Sequence, residues 1–254
     1  MPGPLTAELS ARAITGPGIA ELSFTMRSPQ RLTFRAGQFV SLALPSAGST
    51  QEASKDAAGG IPRRSYSIAS QSDAGDVLRF IIRVIPEGKA SDYLMSLPLG
   101  SAVNMTGPHG FFVLDPVHAG DIVFAATGTG IAAVMPMLGE LAPGRATPGD
   151  RAPGSRIVVF WGLRQQSDIF ARDEIEKLAA AAGAELDIHL TAPGPDWRGG
   201  RGRITAALLD RLARFTAPTF YLVGNGAMIT DVKRELISRG VNRKTQIRTE
   251  AFFD

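Results

Sequence analysis

The stretch Asp121-Ile122-Val123-Phe124-Ala125-Ala126, running into Thr127-Gly128-Thr129-Gly130, decides how this chain is read. From Ile122 on it is apolar without alternation, as expected of a strand buried on both faces of a parallel sheet. A helix-like stretch, Ala132 to Leu141, follows the glycines. Glycines in that position let the backbone approach a pyrophosphate, and the start of the helix favours its negative charge. The pattern stops short of G-x-G-x-x-G because Ala133 stands at the third glycine position. No Gly-Lys-Ser/Thr is present, so a triphosphate loop is not indicated.

Working outward, strands and helices alternate after this turn: Ile157–Phe160, Asp168–Ala182, Leu186–Leu190, Ala206–Arg214, Phe220–Val223, Met228–Arg239 and Gln246–Arg248. Ala142–Ser155 is a Pro/Gly-rich connection. Such alternation predicts a parallel sheet covered by helices on both faces. Before the turn the period is different. Leu5–Ile14, Ile19–Met26, Leu32–Phe34, Gln38–Leu44, Tyr66–Ala69, Val77–Ile85 and Ser101–Thr106 are short runs separated by turns, with one short helix at Ala90–Leu97. They predict an N-terminal antiparallel β-barrel. Ser46–Gly60, rich in Ala, Ser and Gly, reads as a surface loop. Two domains are therefore expected, residues 1–116 as the barrel and 117–254 as the α/β domain.

Composition narrows the chemistry. The 254 residues, 44% hydrophobic and 20% charged, suffice for two compact domains. With no cysteine, disulfides, thiolate zinc and cysteine-ligated iron–sulfur clusters are excluded, so redox chemistry requires an organic cofactor. His109, His118 and His189 lie in separate segments without ligand spacing, and no metal site is expected. A net charge of +3 is mild for a nucleic-acid binder, and aromatics do not cluster on a basic strand face. The arginines better suit anionic cofactors or an acidic protein partner. No run approaches the roughly 18 apolar residues of a membrane helix, and Met1–Ser10 has no leader character, so a cytoplasmic protein is expected.

A second stretch, Arg63-Arg64-Ser65-Tyr66-Ser67-Ile68-Ala69-Ser70, offers a guanidinium, a phenol ring and a hydroxyl on one short strand. Alternate strand residues share a face, so Arg64 and Tyr66 point together and Ser67 oppositely unless the strand bends. Five motifs then occur in order: Arg64-Ser65-Tyr66-Ser67, Gly88-Lys89-Ala90-Ser91, Gly107-Pro108-His109-Gly110, Gly128-Thr129-Gly130-Ile131-Ala132, and Val223-Gly224-Asn225-Gly226-Ala227-Met228. Over nearly the whole chain this set resembles the ferredoxin–NADP reductase family of FAD-dependent oxidoreductases, which includes oxygenase reductase components.

The resemblance implies a function: hydride transfer between NAD(P)H and FAD, with single electrons passed to or from a separate ferredoxin, flavodoxin or oxygenase component. It also implies roles for residues. Arg64 would meet the FAD pyrophosphate, Tyr66 the isoalloxazine or ribityl chain, and Ser67 the region of flavin N5. Gly88 and Ser91 match the family's second phosphate clamp, although Ser91 is equally a helix cap; Arg83, in the preceding strand, is a further candidate. Thr129 and Gly130, with Gly224 and Met228, match the dinucleotide-facing turns, and Val223 stands where the family often has cysteine. Arg164 and Arg203 match positions that take the NADPH 2′-phosphate, while Ala192 stands where a third arginine is common; two of three favours NADP(H) over NAD(H). Phe252 would cover the flavin and Glu250 would relay protons nearby. The chain is expected to act as a monomer. The rivals are a free-flavin reductase and a non-catalytic NAD(P)H-binding module.

Overall fold

A computed structural model describes residues 4–44, 62–116, 120–144 and 154–252. The Ser46–Gly60 loop, His118 and the last two residues lie outside the described residues. The chain forms two compact units, 1–111 and 112–254.

The first unit contains β1 (Leu5–Gly16), β2 (Ile19–Ser28), β3 (Phe39–Ala43), β4 (Arg63–Ser67), β5 (Val77–Arg83), α1 (Lys89–Ser96) and β6 (Ala102–His109). The strands are antiparallel, in the order β4-β3-β6-β1-β2-β5. Beyond β4 the chain meets the opposite edge: the Ala69 N–H donates to the Arg79 carbonyl (2.8 Å), and the Arg79 N–H donates to Ser70 Oγ (3.2 Å). These bonds curl the sheet into a barrel. Period-two patterning fills it: in β1, Leu5, Ala7 and Leu9 are buried while Thr6 and Glu8 are less so. Phe24 and Phe80 meet edge to face in the interior, centroids 5.7 Å apart. Residues 32–34, read as a strand, form a connection instead. Leu32 and Phe34 are apolar because they enter the core, and the Leu32 N–H donates to the Gly75 carbonyl rather than joining a ladder.

The second unit contains β7 (Ile122–Thr127), a 3₁₀ turn (Gly128–Gly130), α2 (Ile131–Leu141), β8 (Ile157–Leu163), α3 (Arg172–Ala182), β9 (Ala184–Leu190), β10 (Gly200–Arg201), α4 (Ile204–Asp210), β11 (Thr219–Asn225), α5 (Gly226–Ser238), α6 (Arg243–Gln246) and β12 (Ile247–Phe252). All its strand pairs are parallel, ordered β10-β9-β8-β7-β11-β12. The buried Asp121 carboxylate ties the start of this sheet together, accepting from the Arg156 N–H (2.8 Å), the Arg156 guanidinium (2.7 Å) and the Thr216 N–H (3.0 Å).

The division between units falls a few residues before the sequence boundary at 116/117. Phe112 packs edge to face on Tyr221, and the Asp115 carboxylate pairs with the Arg248 guanidinium at 2.9 Å, so residues 112–116 join the second unit. β12 also runs further than the Gln246–Arg248 strand expected, reaching Phe252. Among the described residues, no helix is long and apolar enough to cross a membrane, and no three His, Asp or Glu side chains are grouped to hold a metal ion.

Candidate cofactor sites

In the first unit the site is built on β4. Tyr66, opposite Val40 in β3, lays its ring toward the barrel interior, 6.4 Å from Phe80. Burial pushes its phenol up to about 12 from an ordinary 10, and the neighbouring Arg64 guanidinium pulls the other way. Arg64 is exposed and donates to the Arg63 carbonyl (2.9 Å); no acidic partner faces it among the described residues. Arg63 turns away, donating to the Ser41 carbonyl (2.5 Å) and Thr106 Oγ1 (3.3 Å). Of the two adjacent arginines, Arg64 is the one available to an anion. Ser67, the last residue of β4, is half-buried opposite Phe39. Arg83 ends β5 exposed.

The α1 helix begins at Gly88 with no side chain capping its first amides. A Cβ on Gly88 would press on the Ile85 carbonyl at 3.0 Å, so the tight entry favours glycine. Ser91 is buried, and its hydroxyl oxygen accepts from the Ile85 N–H (2.8 Å). That oxygen holds the entry turn. What Ser91 presents at the helix start is its backbone amide. At the other end Arg12, from β1, donates to the carbonyls of Leu94 (3.2 Å) and Leu97 (2.8 Å), a cation at the negative end of the helix. Nothing in the local sequence around α1 signals this contact, because Arg12 is more than 80 residues away.

In the second unit two turns meet at the C-terminal end of the sheet. Gly128 takes φ +54°, and nothing lies within 4 Å of where its Cβ would stand; it forms an open cradle ahead of α2, which lacks a side-chain cap. The Trp161 indole N–H braces the cradle, donating to the Gly128 carbonyl (3.0 Å). Gly130 is closely packed: a Cβ there would lie 2.9 Å from the Val223 carbonyl. Gly224, at φ +113°, would place a Cβ 2.7 Å from the Thr127 carbonyl and in collision with the Thr127 hydroxyl. Thr127 Oγ1 accepts from the Asn225 N–H (2.8 Å), and Asn225 Oδ1 accepts from the Met228 N–H (3.0 Å), capping α5. Thr129 is half-exposed beside these groups. The Met228 side chain is buried in the apolar core, so its contribution to the turn is its backbone.

Arg164 follows β8 and Arg203 caps α4; both are exposed. The Ala192 N–H donates to the Arg164 carbonyl (2.7 Å), so the position lacking a third arginine adjoins Arg164. Arg201, by contrast, is spent on the Trp197 carbonyl (3.0 Å). Glu250 and Phe252 lie within β12, opposite Val223 and Asn225. They are strand residues in register with the second glycine turn.

An open glycine cradle, two uncapped helix starts and an exposed arginine beside a half-buried tyrosine fit two dinucleotides, one per unit. Together with a barrel and a parallel α/β unit, they define a flavin- and pyridine-nucleotide-dependent oxidoreductase architecture. Residues 6–114 match the oxidoreductase FAD-binding domain family, and 124–234 the oxidoreductase NAD-binding domain family. Ferredoxin–NADP reductase B of Sorangium cellulosum is 34% identical over 251 residues, 95% of each chain. The reductase component DmpP of phenol 2-monooxygenase from Pseudomonas sp. is 28% identical over 87% of this chain and 58% of its own length. Methane monooxygenase component C of Methylosinus trichosporium is 31% identical over 76% of this chain, which spans half of that relative. In fold, the chain is similar to a ferredoxin NADP+ reductase from Neisseria gonorrhoeae (TM-score 0.77, 20% identity, 98% of this chain and 99% of that one). The chain belongs to the ferredoxin–NADP reductase-like family of FAD-dependent NAD(P)H oxidoreductases.

Proposed function

We propose that this protein moves electrons between NAD(P)H and a separate one-electron carrier, a ferredoxin or flavodoxin, by way of bound FAD. The observation that carries this reading is that one unit holds both the Arg64–Tyr66 strand and the uncapped start of α1, in a chain matching a ferredoxin–NADP reductase over 95% of both lengths. Bound flavin supplies the chemistry, taking up two electrons with a hydride and releasing them singly. The chain's residues bind and align. Arg64 and the first amides of α1, Lys89 to Ser91, hold the FAD pyrophosphate; Gly88, whose own N–H donates to the Ile85 carbonyl (3.0 Å), shapes the turn behind them, and Arg83 adds positive charge. Tyr66 supports the flavin with its ring, and its high phenol pKa keeps it neutral there. Ser67 supplies a hydrogen-bonding group near N5.

On the nicotinamide side, Thr129, Gly130 and Gly224 present backbone to the dinucleotide. Arg164 and Arg203, exposed and without acidic partners among the described residues, take a 2′-phosphate and favour NADPH. Phe252 shields the flavin and Glu250 handles protons at its edge.

The likeness to DmpP and methane monooxygenase component C supports a second reading, in which the carrier is an oxygenase component. Both are tested by one experiment. Anaerobic absorption spectra of the purified protein are taken before and after NADPH or NADH, followed by added ferredoxin, flavodoxin, an oxygenase component or free FMN. Flavin bands that bleach with NADPH and recover fastest with ferredoxin or flavodoxin are expected. Recovery only with free FMN makes the protein a flavin reductase, and a colourless protein that takes up no FAD makes it a nucleotide-binding module.

A further inference from the structure

We infer that the Thr127 hydroxyl is a clasp that makes the two dinucleotide-facing turns move as one body, and so positions nicotinamide for hydride transfer. The inference rests on the function proposed above and adds a positioning residue to that site.

The need for a clasp follows from how the ladder ends. β7 and β11 pair in register up to Ala126 and Val223. Past that pair, β7 enters the Gly128–Gly130 turn while β11 continues to Asn225, and the two backbones part. The Asn225 N–H lies beyond the last β7–β11 register pair, and a part-buried amide left unpaired is costly. Thr127 Oγ1 accepts from it at 2.8 Å. The surrounding geometry is built around that oxygen. Gly224 has room for no side chain because the Thr127 hydroxyl and carbonyl fill the space, and Gly130 has none because Val223 and Gly224 fill it from the other side.

The chain of contacts continues from the hydroxyl. Asn225, held at its N–H by Thr127, uses its own side chain to cap α5 at Met228. Its register partner in β12 is Phe252. One hydroxyl thus links the glycine cradle, the first turn of α5 and the end of the C-terminal strand. Serine would keep the link; valine, close in shape, would replace the hydroxyl with a methyl that cannot accept the Asn225 N–H.

The test uses the FAD-loaded full chain and its Thr127→Val and Thr127→Ser variants. For Thr127→Val, the stopped-flow rate of flavin bleaching by saturating NADPH should fall about tenfold, as expected when a part-buried amide loses its partner. The long-wavelength charge-transfer absorbance of reduced flavin with NADP+ should weaken, while flavin content and melting temperature stay near wild type. Thr127→Ser should restore both rate and band. A Thr127→Val enzyme matching wild type in rate and band overturns the inference, as does a Ser variant as slow as the Val one. If Thr127→Val does not fold, hydrogen exchange decides in the wild-type holoenzyme. The Asn225 amide should be protected although it lies past the ladder, and rapid exchange there overturns the clasp. A wild-type protein that bleaches with neither NADPH nor NADH instead refutes the function on which the inference rests.

Discussion

Tyr66 shows how one residue's surroundings suit the cofactor role proposed for it. Its ring is largely withdrawn from water against Phe80, which holds the phenol in the neutral form up to about pH 12. Because the folded value lies above the ordinary one, folded stability should fall between about pH 10 and 12, where the unfolded chain releases this proton first. Tyrosinate absorbance of the wild type minus that of Tyr66→Phe should show the late titration. Arg64→Ala should push it later still, since the guanidinium favours the phenolate, and should lower retained FAD by about tenfold or more, the scale of a charge-assisted contact. Sequence alone pairs Arg64 with Tyr66 on one strand face, and in the ladder they stand opposite Leu42 and Val40, two residues apart. It does not separate Arg64 from Arg63, because only the fold shows Arg63 turned onto Ser41 and Thr106. Nor does it show that the Ser91 oxygen is already engaged by Ile85.

At the scale of elements, the second unit depends on its glycine turns and on Asp121. Gly130→Ala would force a methyl against the Val223 carbonyl, and the turn must shift to admit it. NADPH affinity should drop about tenfold by titration, in line with the cost of overpacking a tight contact, while flavin content is unchanged. Burial alone would raise the Asp121 carboxyl, but two backbone amides and the Arg156 guanidinium outweigh it and hold the group below the usual carboxylate range. Its stabilisation is therefore present at neutral pH and lost as pH falls below that range. Asp121→Asn should cost about 2–3 kcal/mol in denaturant unfolding, and the difference from wild type should shrink in acid. Elements with strong patterning, such as β7 and α2, are legible in the sequence because burial on all sides leaves an unbroken apolar run. The start of α3 is not. Gln165 and Asp168 form a reciprocal cap around a 3₁₀ turn, and Ala171 takes φ +45°, so the helix begins at Arg172 instead of Asp168. The last residues of β12 are missed for a related reason: Thr249 to Phe252 alternate in exposure on an edge strand, and so few residues at a chain end carry little periodic signal.

For the whole molecule, the proposed function turns on which nucleotide enters and which carrier takes the electrons. Arg203→Ala should reduce kcat/KM with NADPH about tenfold and leave NADH little changed, as removing a guanidinium from a 2′-phosphate would. Equal losses with both nucleotides would place Arg203 outside a phosphate site. The antiparallel barrel followed by a parallel α/β unit is visible in the sequence because the hydrophobic period changes between them. The carrier is not, since surface complementarity has no short-range signature. On the proposed site, the first unit also governs how FAD is taken up. Ser91 steadies the entrance of α1 and Arg12 grips its exit, so contacts of the chain itself hold the amides of its first turn in place. Loading of FAD at the site proposed there would freeze little new backbone, which keeps its entropic penalty small. Apoprotein stripped of flavin should therefore reconstitute quickly with free FAD, and exchange of the α1 amides should be nearly the same before and after.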